Sequence, residues 1–232
     1  MTGVFELPTL LFLLLAVIFI ARLMSVLGRK TGSERPAATQ RRTDNVIPMP
    51  RTGGDRNDAA AADDAKAKLP EERIKGAAPE GSPLEAGLLE IAGKDFSFDP
   101  KAFLKGAGTA YEMIVVAFAE GDRRQLKNLA AKDVFDGFVR AITEREARGE
   151  TNQTTFIGIH KADLIDAESK DSIARLTVKF LSQMITVMRD KAGKVIEGDT
   201  DKVRDVTDIW TFARDTASRD PNWKLVGTQS AN

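Results

Sequence analysis

An uninterrupted apolar run near the N-terminus restricts the fold of this 232-residue chain more than any other feature. Every residue from Leu10 to Ala21 is apolar, and a less pure apolar stretch extends from Val4 to Leu27. A helix rises about 1.5 Å per residue, so about 20 residues cross a hydrocarbon layer that is about 30 Å thick. The sequence therefore predicts a transmembrane anchor over residues 1–27.

The flanks of this run predict its orientation. No Lys or Arg precedes it, only Glu6, whereas these basic residues follow: Arg22, Arg29, Lys30, Arg35, Arg41 and Arg42. The positive-inside rule then places the N-terminus outside and the rest of the chain in the cytoplasm. A cleaved signal peptide would have a basic region before the run and an Ala-x-Ala site after it. This sequence has neither feature, so an anchor is favoured over a cleaved signal peptide. A shorter span or an interfacial attachment would keep the membrane location but remove the topology argument.

The composition excludes several kinds of site. Lys and Arg number 34 against 34 Asp and Glu, a balance that argues against a nucleic-acid partner. There is no Cys and a single His, His160, which excludes disulfides, Cys nucleophiles and structural zinc sites. Gly106 and Gly108 lie in a helical pattern without a preceding strand, so they do not indicate a phosphate loop. We therefore predict no catalytic, metal-binding or cofactor-binding residues.

Residues 28–81 predict a disordered polar linker, because Gly, Ala, Pro, Asp and Arg dominate them. Their few large apolar residues follow no sustained period: Val46, Ile47, Met49, Leu69 and Ile74. Such a segment cannot offset the entropy lost on ordering. We expect a tether, favoured as a passive spacer over a basic stretch that contacts anionic lipid headgroups.

Helical patterns follow the linker. Ser82-Pro83-Leu84-Glu85 is a capping box that begins the first helix, with Gly93 as its stop. Asp99-Pro100 begins the second helix in the same way, and Gly121 ends it. Asp122 and Gln125 indicate a short third helix, and residues 133–148 a longer fourth.

After Gly149 the pattern changes to β-branched and aromatic residues with a period of two. Strands are predicted at 154–165, 173–189, 204–215 and 223–228, and their short connections indicate an antiparallel sheet. Helices followed by strands predict an α+β domain over residues 82–230, with helices packed on a curved four-stranded antiparallel sheet. The predicted inward-facing residues are Ala174, Leu176, Val178, Phe180, Val206, Trp210 and Phe212.

Several strings in this domain resemble the Tim44-like family, in particular its membrane-anchored bacterial members. The strings are DPKAFLKGA at 99–107, AYEMIV at 110–115, AFAEGD at 117–122, DIWTFAR at 208–214 and DPNWKL at 220–225. The resemblance extends from about Leu84 to Thr228. The order of anchor, polar linker and domain also resembles these bacterial members.

The resemblance implies a cystatin-like fold of the nuclear-transport-factor-two-like class, with an apolar concavity between helices and sheet. It also implies a non-enzymatic adaptor at the bacterial inner membrane. Mitochondrial members scaffold the presequence-translocase motor, recruit an Hsp70-class chaperone and contact cardiolipin. The implied partners are membrane lipids, contacted through the anchor, and a protein or peptide of a translocation or assembly machinery, with a chaperone among the candidates. The oligomeric state is left open.

The residues expected to line this concavity or partner surface are Tyr111, Val115, Phe118, Phe135, Phe138, Asp208, Trp210 and Phe212. The ordinary explanation for such aromatic residues is that they form the core. Asp208 shares the two-residue phase of Val206 and Trp210, so it is expected to point inward, as is Tyr111.

Two other function classes stay open. In steroid isomerases of the implied fold class, an inward Asp and a Tyr perform proton transfer. If Asp208 and Tyr111 acted in the same way, this chain would be an enzyme acting on a small apolar molecule. That chemistry requires burial to raise the carboxyl pKa and a phenol to hold a developing oxyanion. The other class is a lipid-binding module on anionic membranes, whose binding would weaken with salt.

Overall fold

The computed structural model of this chain describes residues 69–230, in which helices come first and strands follow. The predicted anchor at 1–27, and the predicted linker as far as residue 68, lie outside the described residues. The helices are α1 (Pro70–Ile74), α2 (Pro83–Lys94), α3 (Pro100–Glu120), α4 (Arg123–Leu129) and α5 (Lys132–Ala147). The strands are β1 (Thr151–Lys170), β2 (Ile173–Arg189), β3 (Val195–Gly198), β4 (Arg204–Asp215) and β5 (Lys224–Ser230).

Side-chain caps begin the helices where the sequence predicts them. The Ser82 hydroxyl accepts a hydrogen bond from the Glu85 amide at 3.1 Å. The Glu85 carboxylate accepts one from the Gly81 amide at 2.6 Å, one residue before the usual partner in a capping box. Asp99 and Asp122 cap α3 and α4 by accepting from the amide three residues further on.

The central helix of the described domain is α3, which has 21 residues. It ends at Gly121, whose φ of 76° is a left-handed conformation that glycine adopts without strain. Its buried residues include Phe103, Ala107, Tyr111 and Ile114. Among residues 69–230 it alone is long and apolar enough to cross a membrane, but this buried face makes it the core helix of the domain.

The sheet is antiparallel, with the strand order β1-β2-β4-β5. Strand β4 pairs with β2 as far as Met184, and β3 pairs with the remaining part of β2 from Val187 to Arg189. Strand β1 has three register shifts, each of which leaves one extra residue on β1: Ile157, His160 and Ile165. Such bulges bend and twist a strand, and so they curve this edge of the sheet.

The helices cover one face of the sheet. On that face Ala174, Leu176, Val178 and Phe180 of β2 are fully buried, as the period of two predicts. Trp210 and Phe212 of β4 are buried beside them, whereas Val206 is half-buried. The α+β class and the antiparallel sheet are thus confirmed, and the cystatin-like assignment stays a prediction.

The structure extends beyond the sequence predictions at two places. The sheet has a fifth strand, β3, which has only four residues and so shows no period in the sequence. The predicted linker reached residue 81, but α1 is helical, and Ile74 is 3% exposed within the core. The Arg73 side chain is also buried, and it donates hydrogen bonds to the carbonyls of Asp95, Phe98 and Ala92. Helix α1 therefore belongs to the folded domain, because residues 92–98 accept hydrogen bonds from this short segment.

Candidate functional site

Hydrogen bonds join Tyr111, Ser182 and Asp208 beneath the helices, where Tyr111 and Ser182 are buried and Asp208 is half-buried. The Tyr111 hydroxyl donates to the Asp208 carboxylate at 2.7 Å and lies 2.8 Å from the Ser182 hydroxyl. Helix α3 supplies Tyr111, β2 supplies Ser182 and β4 supplies Asp208. The structure thus brings Tyr111 and Asp208 together, and Ser182 joins them although the sequence analysis did not single it out.

Aromatic rings enclose the Tyr111 side chain. Phe180 stacks on it with ring centroids 4.5 Å apart, and Trp210 packs at 4.6 Å. Phe156 of β1 meets it edge-on at 5.9 Å. Rings at these separations stabilise one another beyond the burial of their area. The surroundings therefore hold the phenol in one position.

Burial governs the protonation of this group. Burial raises the pKa of the Asp208 carboxyl, and the hydrogen bond from Tyr111 opposes that rise only in part. Burial, together with the nearby Asp208 charge, also raises the pKa of Tyr111, which keeps the phenol protonated as a donor. The hydrogen bond between them can therefore hold a proton between the Tyr111 phenol and the Asp208 carboxylate.

Phe118 and Phe138 lie in a second aromatic cluster, between α3 and α5. Their ring centroids are 5.3 Å apart, and the Arg145 guanidinium carbon lies 5.6 Å from the Phe118 ring. Arg145 is buried and donates to the carbonyls of Phe118 and Ala119 at the end of α3, at 3.1 and 2.8 Å. Phe135 and Val115 are half-buried against the core. Arg145 therefore caps the C-terminal end of α3. The sequence does not indicate this role, because Arg145 lies among other charged residues near the end of α5.

Phe212 packs against Phe103 at 6.0 Å and against Trp210 of the first group at 6.4 Å. Phe103 in turn contacts Trp223 at 4.8 Å. Apart from Asp208, the predicted residues thus belong to one continuous hydrophobic core or pack against it. That they line a shared surface for a partner stays a prediction.

An open groove of about 380 Å³ lies on another flank of α3, between this helix and β1. Helix α3 contributes Leu104, Lys105, Gly108, Thr109 and Glu112, and β1 contributes Phe156, Ile157, Gly158, Ile159 and Ala162. None of the eight predicted residues lines it. Close helix packing is the ordinary explanation for a glycine in a helical pattern, and a Cβ at Gly108 would lie 3.3 Å from Ile159. Within residues 69–230, no three His, Asp or Glu side chains are grouped so that they could hold a metal ion.

Comparison with known proteins identifies the domain. The Tim44-like domain family matches residues 84–230. The human mitochondrial import inner membrane translocase subunit TIM44 is 26% identical over 148 residues, which cover 62% of this chain and 33% of that protein. The probable mitochondrial import inner membrane translocase subunit tin-44 of Caenorhabditis elegans is 27% identical over 143 residues, which cover 60% of this chain and 34% of that protein. The chain thus spans about a third of the length of these relatives.

A bacterial protein is also similar to this chain. An uncharacterised protein of Rickettsia prowazekii is 23% identical over 139 residues, which cover 60% of this chain and 56% of that protein. Among solved structures, the intermembrane space region of the chloroplast protein ARC6 superposes with a TM-score of 0.40 at 10% identity. That superposition covers 55% of this chain and 95% of that one.

Proposed function

This chain belongs to the Tim44-like family, and on that basis we propose that it is a membrane-tethered, non-enzymatic adaptor of the bacterial inner membrane. Its domain would present an apolar surface to a protein or peptide partner in protein translocation or membrane-protein assembly. The family match over residues 84–230 carries this proposal. The relatives named as import translocase subunits of the mitochondrial inner membrane support it.

The N-terminal apolar run supports the membrane part of the proposal. Residues 10–21 contain no polar side chain, and the basic residues that follow favour a cytoplasmic domain behind a single span. Residues 28–68 would then act as a tether of about 40 residues. The partner is proposed by analogy with the family and would be a protein of the translocation or assembly machinery.

The geometry around Asp208 favours a binding protein over an enzyme. An acid–base catalyst must reach its substrate within hydrogen-bond distance. Here the Asp208 carboxylate accepts from Tyr111, whose ring is covered by Phe180, Trp210 and Phe156. The groove on the other flank of α3, by contrast, offers apolar side chains to the surface.

Membrane fractionation of the full chain and of a chain lacking residues 2–27 tests the tether. The full chain should sediment with membranes and resist extraction with carbonate or high salt. The shortened chain should remain soluble and folded. If the shortened chain stayed tightly bound to membranes, the tether proposal would be wrong.

Photo-crosslinking in living cells tests the adaptor role. We would place benzoylphenylalanine at exposed positions on different faces of the full chain, such as Phe96, Leu181 and Ile196. An adaptor should give discrete protein adducts from at least one face. Adducts with lipid alone would instead favour the lipid-binding module.

A further inference from the structure

We propose that the groove between α3 and β1 binds an extended apolar segment of a partner protein, which adds a strand to the free edge of β1. The segment would have an acidic residue at its N-terminal end and a basic residue at its C-terminal end. The inference rests on the proposed adaptor function and specifies the chemistry of the partner.

The backbone of β1 can accept a further strand. Strand β1 is 20 residues long and lies at the end of the strand order, paired only with β2. Among residues 69–230, its outer edge forms no backbone hydrogen bond with another element. Unpaired amides and carbonyls of an edge strand are the groups that extended peptides bind in other proteins.

The groove beside this edge is apolar at its floor. Phe156, Ile159 and Ala162 are half-buried, and Ile157 is 52% exposed. A strand added to β1 would direct every second side chain to the helical face of the sheet, over these residues. A volume of about 380 Å³ is at the small end of the range for ligand pockets, which is about 300–1,000 Å³. It suits a few aliphatic side chains.

The charges at the two ends of the groove specify the direction of the segment. Gly108 lies against Ile159, and Tyr111 against Phe156, so α3 runs antiparallel to β1. This places Lys105 toward Ala162 and places Glu112 toward Phe156. Both charged side chains are exposed, and neither has an ion-pair partner among residues 69–230.

A segment antiparallel to β1 runs in the same direction as α3. Its N-terminal end then lies beside Lys105 and its C-terminal end beside Glu112. An acidic residue at the first end and a basic residue at the second complement these charges. The antiparallel direction is the one in which every strand pair of the sheet is formed.

The bulges of β1 favour a short segment over a second copy of this chain. The bulges at Ile157, His160 and Ile165 divide β1 into short regular runs. Bulges on an edge strand hinder pairing with another long strand. Two copies of β1 would bring bulges from both sides, whereas a regular segment of about seven residues, paired from Phe156 to Ala162, would meet only the bulges of β1 at Ile157 and His160.

Peptide binding to the full-length protein in detergent tests the proposal. The probe is a fluorescent, end-blocked heptapeptide, Asp-Val-Thr-Ile-Thr-Val-Lys, and its control exchanges the two charged residues. Fluorescence anisotropy should show that the first peptide binds about threefold or more tightly than the second, the effect of two exposed ion pairs. The double variant Lys105→Glu/Glu112→Lys should invert this preference.

A steric test uses two glycines of the same helix. Gly108→Leu should fill the groove and weaken binding of the first peptide at least tenfold. Gly106→Leu is the matched control, because a Cβ there meets no atom within 4 Å, and it should bind as the parent protein does. Circular dichroism of both variants verifies the fold. The charge exchange, at two exposed positions, remains decisive if Gly108→Leu does not fold.

Three outcomes would overturn the groove proposal: no binding of the first peptide, equal binding of both peptides, or unchanged binding by Gly108→Leu. The adaptor proposal fails separately, if crosslinking in cells yields no protein adduct from any face. Protein adducts that persist in a folded Gly108→Leu variant would leave the adaptor proposal standing and move its contact surface elsewhere.

Discussion

Asp208 is a carboxylate held among buried aromatic rings with a phenol as its donor. The hydrogen bond from Tyr111, at 2.7 Å, offsets only part of the cost of removing the charge from water. Burial therefore leaves the pKa of Asp208 raised in the folded protein. A carboxyl whose pKa is higher in the folded than in the unfolded chain binds its proton more tightly when folded. The folded state thus loses stability as the pH rises from the carboxyl pKa of the unfolded chain through that of the folded chain.

Asp208→Asn should make the protein less sensitive to pH. Asparagine can still accept the Tyr111 hydrogen bond, but it carries no charge to desolvate. The free energy of unfolding of the variant, minus that of the parent, should therefore increase from about pH 4, the usual carboxyl pKa, to pH 7. Denaturant unfolding at several pH values measures this difference.

Tyr111→Phe serves as the complementary variant for this test. The variant removes the hydrogen-bond donor of the half-buried Asp208 carboxylate, so the loss of stability should be larger at pH 7, where the carboxyl is charged, than at pH 4. Parallel pH profiles for Asp208→Asn and the parent would show that the carboxyl does not titrate in this way.

At the scale of elements, α2 and β1 are held at a distance that only glycine permits. A Cβ on Gly87 would lie 2.0 Å from the carbonyl oxygen of Ala167, which is a backbone atom and cannot rotate away. Glycine in a helix interior costs about 0.5–1 kcal/mol relative to alanine. At Gly87 the absence of a Cβ allows the backbones of α2 and β1 to approach closely.

Gly87→Ala should therefore destabilise the domain by about 2 kcal/mol or more, since overpacked positions typically cost about 1–3 kcal/mol and here the backbone must move. Gly93→Ala, in the same helix, is the matched control because a Cβ there meets nothing within 4 Å. It should leave stability unchanged or raise it by up to about 1 kcal/mol. Urea unfolding compares the two variants, and equal effects would contradict the close packing of α2 on β1.

At the scale of the whole molecule, the boundary of the folded domain lies before the family match begins. The match starts at residue 84, yet α1 contributes Ile74 to the core and Arg73 to the end of α2. Arg73 donates to the Ala92 carbonyl, one of the last four carbonyls of α2, which lack a partner within the helix. Asp95 nearby lies 2.8 Å from Arg214 of β4, so the end of α2 is also joined to the sheet.

A chain that begins at residue 69 should therefore be more stable than one that begins at residue 82. Loss of the buried isoleucine and of the Arg73 hydrogen bonds should cost about 2–4 kcal/mol. Arg73→Met in the longer chain should reproduce part of this loss. Lys75→Met is the control, because it removes the same charge from an exposed position of the same segment. Thermal unfolding ranks the four proteins, and equal midpoints for the two lengths would contradict a structural role for α1.

The sequence by itself determined the features that depend on residues close together in the chain. The caps at Ser82, Asp99 and Asp122 were predictable because each hydrogen bond spans three residues. The inward face of β2, from Ala174 to Phe180, was predictable from its period of two. The expected inward direction of Asp208 followed from the same period.

Only the tertiary structure decided the contacts between distant parts of the chain. Arg73 finds its carbonyl partners 19 to 25 residues away, and Tyr111 meets Asp208 across 97 residues. The groove likewise depends on how α3 lies against a bulged β1. Local patterns report which face of an element is apolar, but not which element covers it or how closely. These contacts are decided when all the elements pack together, since the side chains must then fill the core while the buried polar groups find hydrogen-bond partners.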